Sequence, residues 1–332
     1  MSQAPAAGRF DGLAAVPAEL GPTVVTVGMF DGVHRGHRVL LDRVAAEAAA
    51  RGLPAGAVTF DRHPLEVLRP GSQPPLLTTL DRKVALLGAA GMDFVLVLAF
   101  TQELSMVTAE AFATGVLLDG LHARAVVVGE NFRFGHKAAG DAALLAALGR
   151  PLGVEAVAVA LRADGGEPLS STRIRTELAR GDVRAAARLL GRPYAVDGVV
   201  VEGDGRGGRL LGVPTANLAV APGIAVPANG IYAGHLTEET PEGSGGPQGG
   251  APVGRGVRRP AATSVGVNPQ FNTGFRVEAH VLDFDGDLYG RRVAVSFEHR
   301  LRGEAAFPSV EELIAQMRED IRQARRLLSA AT

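Results

Sequence analysis

Two histidines, His34 and His37, stand three residues apart in the string GMFDGVHRGH, between the β-branched run TVVTV and an Ala- and Leu-rich stretch. That spacing lets both imidazoles face one ligand from a helical first turn. Gly28, Gly32 and Gly36 fall where the backbone must turn tightly or approach a ligand, with Phe30 and Asp31 between them. A helix N-terminus offers unpaired N–H groups and positive potential, and two imidazoles add donors for charge that develops on phosphate oxygens during transfer. The chemistry this suits is phosphoryl or nucleotidyl transfer. Read alone, HxGH is as readily a glycine-rich turn whose histidines cap or fill space.

Three further groups carry the same kind of chemistry. In SSTRIR, Ser171 and Thr172 can cap a helix or bind an anion there, and Arg173 and Arg175 add forked donors that match phosphate. In GDGRGGRLLGVPTAN, Gly207 and Gly212 belong to a Gly- and Arg-rich loop able to wrap phosphates, although it lacks the GKS/T ending of a Walker loop. Thr215 and Asn217 alternate to one side of an extended chain and present hard oxygens suited to Mg²⁺ carrying nucleotide phosphates, or else they make a turn. In FRVEAHVLDF, alternation sets Arg276, Glu278, His280 and Leu282 on one face and Val277, Ala279 and Val281 on the other, making Glu278 either a general base or a solvated strand carboxylate. Asp283, Asp285 and Asp287 imitate the start of a calcium loop but lack its terminal glutamate, so DFDGDLYG reads as a β-turn.

The elements that must hold these residues show in the hydrophobic pattern. From Thr23 to Ala160, short apolar runs (TVVTV, AGAVTF, FVLVLAF, ARAVVV, VEAVAV) alternate with segments of helical length, which predicts a parallel sheet wrapped by helices. Ligands bind such sheets beyond the carboxyl ends of the strands, where the motif loops fall. Two helical segments, STRIRTELARGDV and VRAAARLLG, end at Gly191 with Pro193 beyond, a helix-stop signature that sets the domain boundary nearby. The expected domains are 1–187 and 188–332. After the boundary, strands such as AVDGVVVEG, IYAGHL, FRVEAHVLDF and RRVAVSFE separated by Gly, Pro, Asn and Asp predict a small β-barrel. A closing helix from Pro308 to about Leu328 should pack on it through Val310, Leu313, Ile314, Met317, Ile321 and Leu328. Between Glu238 and Pro260 the chain is rich in Gly and Pro and reads as a mobile hairpin insertion.

In order along the chain, GMFDGVHRGH, TFDRHP, VVVGENFRFGHKAAGD and LSSTRIR resemble the flavin-adenylating branch of the HxGH nucleotidyltransferase superfamily. GRGGRLLGVPTAN, NGIYAG, TSVGVNPQF and VEAHVLDFDGDLYG resemble riboflavin kinases. The resemblance implies an α/β plus mainly-β chain: a Rossmann-like HxGH nucleotidyltransferase domain with a parallel sheet, then a small antiparallel β-barrel with a terminal helix. It implies phosphorylation of riboflavin by ATP to FMN, then adenylyl transfer from ATP to FMN, giving FAD and pyrophosphate, with Mg²⁺ accompanying ATP. It also carries over site roles. ATP lies against the loop of Gly28, Phe30, Asp31, His34, Gly36 and His37, with Ser171, Thr172, Arg173 and Arg175 on its phosphates. Flavin contacts fall to His63, Asn131, Phe132 and Phe134, the two phenylalanines offering flat surfaces to a ring. In the kinase half, Gly207 and Gly212 serve the nucleotide, Thr215 and Asn217 the metal, and Glu278 takes the proton from the riboflavin 5′-hydroxyl. One departure is Arg62, where the family commonly has Pro before the His-Pro pair. Two other readings are a transferase acting on a different phosphomonoester and a flavin-binding regulator without turnover; the attached PTAN barrel opposes the first, and unbroken motifs oppose the second.

Bulk properties agree with this picture. At 332 residues two domains are the natural prior, and 46% hydrophobic with 21% charged residues is ordinary for a globular protein. A formal net charge of −1 gives no global field for a polyanion, so nucleic acid is not an expected partner. Small molecules (ATP, riboflavin and FMN) are the expected partners, and a homo-oligomer stays open. No stretch approaches the roughly 18 consecutive apolar residues of a membrane helix, so no membrane partner is expected. With Cys 0 a reducing compartment is suited, and the cytoplasm is the expected location.

Overall fold

The computed structural model describes residues 7–160, 163–164, 166–202, 215–239, 256–266 and 276–329. They form two compact units. The first runs to Ser170 without Pro75–Thr79, and the second takes that short segment together with the chain from Ser171.

In the first unit the elements are β1 (Gly8–Asp11), β2 (Thr23–Val27), α1 (Arg35–Arg51), β3 (Ala55–Phe60), α2 (Pro64–Leu68), α3 (Leu80–Gly88), β4 (Phe94–Leu98), α4 (Gln102–Met106), α5 (Ala109–Phe112), β5 (Ala123–Gly129), α6 (Ala142–Gly149) and β6 (Glu155–Val159). A short hairpin, β7 (Ala163–Asp164) and β8 (Glu167–Pro168), follows. The sheet is wholly parallel in the order β1-β4-β3-β2-β5-β6. Its strands read as near-continuous apolar runs because both faces are covered. Val25, Val27, Leu96, Leu98, Val126 and Val128 point into a core closed by Phe112, Leu117 and Leu145. Their neighbours Val24, Val95, Val97, Ala125 and Val127 point into another, closed by Leu41 and Val44 of α1 and Val84 and Leu87 of α3. Gly56 of β3 admits the Phe94 ring, since a Cβ there would lie 2.0 Å from it. The edge strand β1 precedes the alternating run in which strands were expected.

Strand order reverses between β2 and β5, which makes the gap beyond their carboxyl ends the topological switch point where ligands enter such sheets. The loops that leave there are Gly28–His34 and Glu130–Phe134.

The second unit begins with α7 (Ser171–Arg180) and α8 (Val183–Leu190) and continues with β9 (Tyr194–Val201), β10 (Ala216–Val220), β11 (Gly230–Glu238), β12 (Arg258–Gly266), β13 (Arg276–Val281), β14 (Arg292–Phe297), β15 (His299–Arg302) and α9 (Val310–Ser329). The strands are antiparallel in the order β12-β13-β10-β9-β14-β11, and β11 pairs back to β12, closing a barrel with β15 added along β11. Tyr232 and Phe297 fill its interior edge to face at 5.4 Å. Closure requires Gly234, where a Cβ would sit 1.8 Å from the Ser296 carbonyl oxygen. The strands β11 and β12 pair from Gly230↔Val265 to Thr237↔Arg258; residues 240–255 of the Gly/Pro-rich insertion expected as a hairpin lie outside the described ones.

Two details differ from expectation. Leu282 was assigned to the polar face of its strand, but β13 ends at Val281 and the chain turns, burying Leu282 against Ala324 and Leu328 of α9. Val310 was counted in the apolar stripe of the last helix yet is exposed, and Ala324 lies buried in the stripe instead. The DFDGD segment is a turn: Asp283 has φ 56° and pairs with Arg325, and Asp287 accepts the Tyr289 N–H.

Candidate active sites

The histidine loop is held in a conformation that side chains resist. Phe30 and Val33 both have positive φ (49° and 39°), flanking Gly32 at 80°, and the Val33 N–H donates to the Phe30 carbonyl at 3.0 Å. Positive φ at a β-branched residue is a genuine outlier and costs about 1–3 kcal/mol, retained where the surroundings over-determine it. Here both side chains are anchored in the core, Phe30 at 1% and Val33 at 2% exposure.

The strained turn delivers His34 to the N-cap of α1, where its Nδ1 accepts the N–H groups of Gly36 (3.1 Å) and His37 (3.3 Å). Accepting there leaves the ring proton on Nε2. His37 stacks on His34 with centroids 3.6 Å apart and meets the Phe30 ring edge to face at 5.3 Å. A Cβ on Gly36 would press to 3.0 Å from the His34 ring, and one on Gly28 to 3.0 Å from Phe30. Burial, then the neighbouring His34 and the Lys83 ammonium, hold His37 well below the ordinary histidine range, so it is neutral at pH 7. Its Nδ1 is buried without a hydrogen-bond partner among the described residues. A buried polar atom left so costs about 1–3 kcal/mol.

Other expected residues of this unit are placed as follows. Asp31 is a buried residue of the turn itself and is a charged neighbour of Lys83. His63 caps α2, its Nδ1 accepting the Leu65 N–H at 3.1 Å. Arg62, the departure from the family pattern, pairs with Asp61, whose carboxylate also accepts the Phe100 N–H and thereby ties the ends of β3 and β4. After β5, Asn131 is exposed and Phe132 half-buried, while Phe134 is enclosed in the core; the two rings stack at 5.3 Å. Lys83, buried on α3 with its Nζ donating to the Phe60 carbonyl at 2.7 Å, was missed by the sequence reading.

Ser171, Thr172, Arg173 and Arg175 occupy the first turns of α7, in the second unit, and the Arg175 Nε donates to the Pro75 carbonyl at 2.6 Å. Gly207 and Gly212 lie outside the described residues.

On the barrel, register assembles a row of side chains that share one face. Asn217 of β10 stands opposite Glu278 of β13, Glu278 opposite Ser264 of β12, Ser264 opposite Ile231 of β11, and Ile231 opposite Arg302 of β15. Thr215 lies two residues before Asn217, just ahead of the start of β10. Glu278 pairs with Arg276 at 2.5 Å, and the buried Val277 and Ala279 flank it as alternation requires. The far end of the row opens on a cavity of about 470 Å³ lined by Ile231, Ser264, Arg302, Glu304, Phe307 and Leu313, among others. Arg302 is fixed there by the buried Asp320 of α9, with contacts of 2.8–3.1 Å, while Gln316 donates to the same carboxylate. Ser264, Arg302 and Asp320 also escaped the sequence reading, because they meet Glu278 or one another only through strand register and helix docking.

The arrangement can do two kinds of chemistry: charge stabilisation at a helix start in one unit, and proton removal beside hard oxygens in the other. Comparison with known proteins matches this division. The family model for FAD synthetase covers residues 16–173, and that for riboflavin kinase covers residues 190–328. The bifunctional riboflavin kinase/FMN adenylyltransferase of Escherichia coli K12 is 37% identical over 300 residues, spanning 90% of both chains. The chain belongs to this bifunctional family. It is also 37% identical to the bifunctional riboflavin kinase/FMN adenylyltransferase of Pseudomonas fluorescens, over 92% of both chains. A crystal structure described as a macrolide-efflux protein from Streptococcus pneumoniae shares the fold, with TM-score 0.81, 28% identity and coverage of 96% of this chain and 98% of that one. Among the described residues no helix is long and apolar enough to cross a membrane. As a member of the riboflavin kinase/FMN adenylyltransferase family, the chain phosphorylates riboflavin with ATP to FMN and transfers an adenylyl group from ATP to FMN, producing FAD.

Proposed function

We propose that the two reactions of the family run at separate places in this chain, adenylyl transfer within residues 1–187 and riboflavin phosphorylation within residues 188–332. The observation that carries the first assignment is the buried Nδ1 of His37, without a hydrogen-bond partner among the described residues, on a ring stacked on the helix-capping His34 at the switch point of a parallel sheet. A phosphate oxygen at that spot accepts from Nδ1–H of the neutral His37 ring and so relieves the orphan, and the His34 imidazole and the N-terminus of α1 supply positive potential as the FMN phosphate attacks the α-phosphorus and pyrophosphate leaves. Gly28 and Gly36 keep side chains off the approach, Phe30 braces His37, and Asp31 ties the turn to the buried Lys83. Asn131 and Phe132, across the switch point on the β5 loop, are suited to a flavin or adenine ring. Phe134 supports Phe132 by stacking beneath it, and His63 stays a candidate for flavin contact through its Nε2 edge. The motif and the helix start support phosphate contact by Ser171, Thr172, Arg173 and Arg175.

In the barrel, Glu278 is the proposed base for the riboflavin 5′-hydroxyl as it attacks the γ-phosphorus. The cavity that continues its row, with Ile231, Phe307 and Leu313 in its lining, supports assigning the isoalloxazine ring there, with the ribityl chain directed toward the carboxylate. Thr215 and Asn217 fit Mg²⁺, since a hydroxyl and an amide oxygen two residues apart are hard ligands beside Glu278. An ion held there would neutralise phosphate charge, and Gly207 and Gly212 are assigned to the same phosphates by motif. The absence of cysteine supports a cytoplasmic setting, and the balanced charge supports small molecules, not nucleic acid, as partners.

Flavins separated by chromatography after incubation with ATP and Mg²⁺ test the assignment. His34→Ala should stop FAD formation from FMN while FMN still forms from riboflavin. Glu278→Ala should stop FMN formation while supplied FMN is still adenylylated. The opposite pattern overturns both assignments.

A further inference from the structure

Of the 34 basic residues in this chain only Lys83 and Lys137 are lysines, the rest being arginine. One of the two is buried beneath the histidine loop. Lys83 is 5% exposed, and its Nζ donates to the carbonyl of Phe60, the last residue of β3. Asp31, on the turn that follows β2, and Asp61, directly after β3, are its charged neighbours. Asp61 is in turn held by Arg62 and by the Phe100 N–H beyond β4. His37 in the first turn of α1 and His34 at its N-cap are the titratable groups facing the same place. A guanidinium is larger and stays charged, whereas a compact ammonium fits a buried spot and can lose its proton, so an arginine-biased sequence has a physical reason to keep lysine here.

We propose that Lys83 is a positioning residue of the adenylyl-transfer site, its buried ammonium fixing the turn after β2 against the end of β3 through Asp31 and the Phe60 carbonyl. The inference rests on reading the histidine loop as that site. Two consequences follow from the geometry. The strained Phe30–Val33 turn depends on a charge beneath it, so removing the charge should disturb the His34/His37 stack more than the bulk fold. Burial first and then His34 hold the His37 imidazole neutral, and the same cation adds to them by disfavouring a second positive charge there. Burial, opposed by Asp31 and Asp61, brings Lys83 down to about 8, so its charge fades as pH rises through that value.

The test uses the full chain, with FAD formation from FMN and ATP followed by steady-state kinetics. Lys83→Met should lower kcat at least tenfold with a smaller change in KM for ATP, leave riboflavin phosphorylation within twofold, and raise the pH at which the His37 ring titrates in an NMR experiment. Lys83→Arg should recover part of kcat. In the parent chain, kcat for FAD formation should fall above about pH 8; in Lys83→Arg that fall should move to higher pH. A folded Lys83→Met with kcat within twofold and an unmoved His37 titration overturns the inference. If Lys83→Met does not fold, a flat parent profile from pH 7 to 9.5, or an identical fall in Lys83→Arg, overturns it equally. His37→Ala separates the two readings: if it keeps making FAD the site itself is misassigned, and if it stops while Lys83→Met continues only the role of Lys83 fails.

Discussion

Asp320→Asn should loosen the last helix from the barrel and blunt riboflavin binding at the same time. The Asp320 carboxylate is 5% exposed at its side chain and takes two nitrogens of Arg302 and the amide of Gln316 at 2.8–3.1 Å. Replacing it by an isosteric amide leaves the shape but removes the charge, so Arg302, 22% exposed, keeps a partly buried guanidinium without its counter-ion. Breaking a buried pair in this way costs about 3–5 kcal/mol, and partial exposure of the arginine puts the value near the lower end, about 3 kcal/mol. In a unit of this size that is a fall of roughly 6–12 °C in Tm, or about two orders of magnitude in the unfolding equilibrium. The guanidinium also lies 5.5 Å from the centroid of Phe307, and both line the cavity, so KM for riboflavin should rise while adenylylation of supplied FMN is unchanged. Heating the variant and recording residual kinase activity and circular dichroism measures the first effect, and kinase kinetics the second. Arg302→Met combined with Asp320→Leu should restore most of the Tm, since an apolar pair carries no desolvation penalty. A shift under about 2 °C with an unaltered KM refutes the reasoning, and would mean that the apolar contacts of Ala324 and Leu328 alone seat α9.

Three other outcomes are expected. Gly56→Ala puts a methyl against the Phe94 ring and should destabilise the adenylylating unit by about 1–3 kcal/mol in urea, with Phe94→Leu in the same chain recovering part of it. Glu298 is lowered to about 2: burial alone would raise it, but hydrogen bonds from His235, Ser296 and Arg258 outweigh burial. Its contribution is therefore complete above the ordinary glutamate range near 4.5 and is lost as pH falls through 4.5 toward 2, so Glu298→Gln should flatten the acid limb of a urea-midpoint profile between pH 5 and 3. Chelating Mg²⁺ should stop both FMN and FAD formation without lowering Tm in the absence of nucleotide, because the proposed ligands Thr215 and Asn217 are neutral and need no cation to balance them.

How much of this was legible from residues alone depended on how local the cause was. Strands such as β2 and β5 announce themselves because burial on both faces demands unbroken apolar runs, and β13 because one wet face demands alternation. The turn at Leu282 was read through, since nothing in VLDF marks where pairing stops. Strand β1 is only Gly8–Asp11 at a sheet edge, too short for any period to show. Among the site residues, HxGH and PTAN were visible because their parts are neighbours in sequence. Lys83 was not, although its rarity in an arginine-rich chain is a signal that composition could have supplied. The row from Asn217 to Arg302 joins five strands, and only the register of a closed barrel brings its members side by side.

His34 caps its helix with a nitrogen where many proteins would use an oxygen. An aspartate in that place could start α1 equally well, but it would turn a negative charge toward an incoming triphosphate. The imidazole satisfies the backbone with one edge and is thereby obliged to carry its hydrogen on the other. Folding thus settles the tautomer before any nucleotide arrives, and the same choice that begins a helix also fixes which ring nitrogen is the donor.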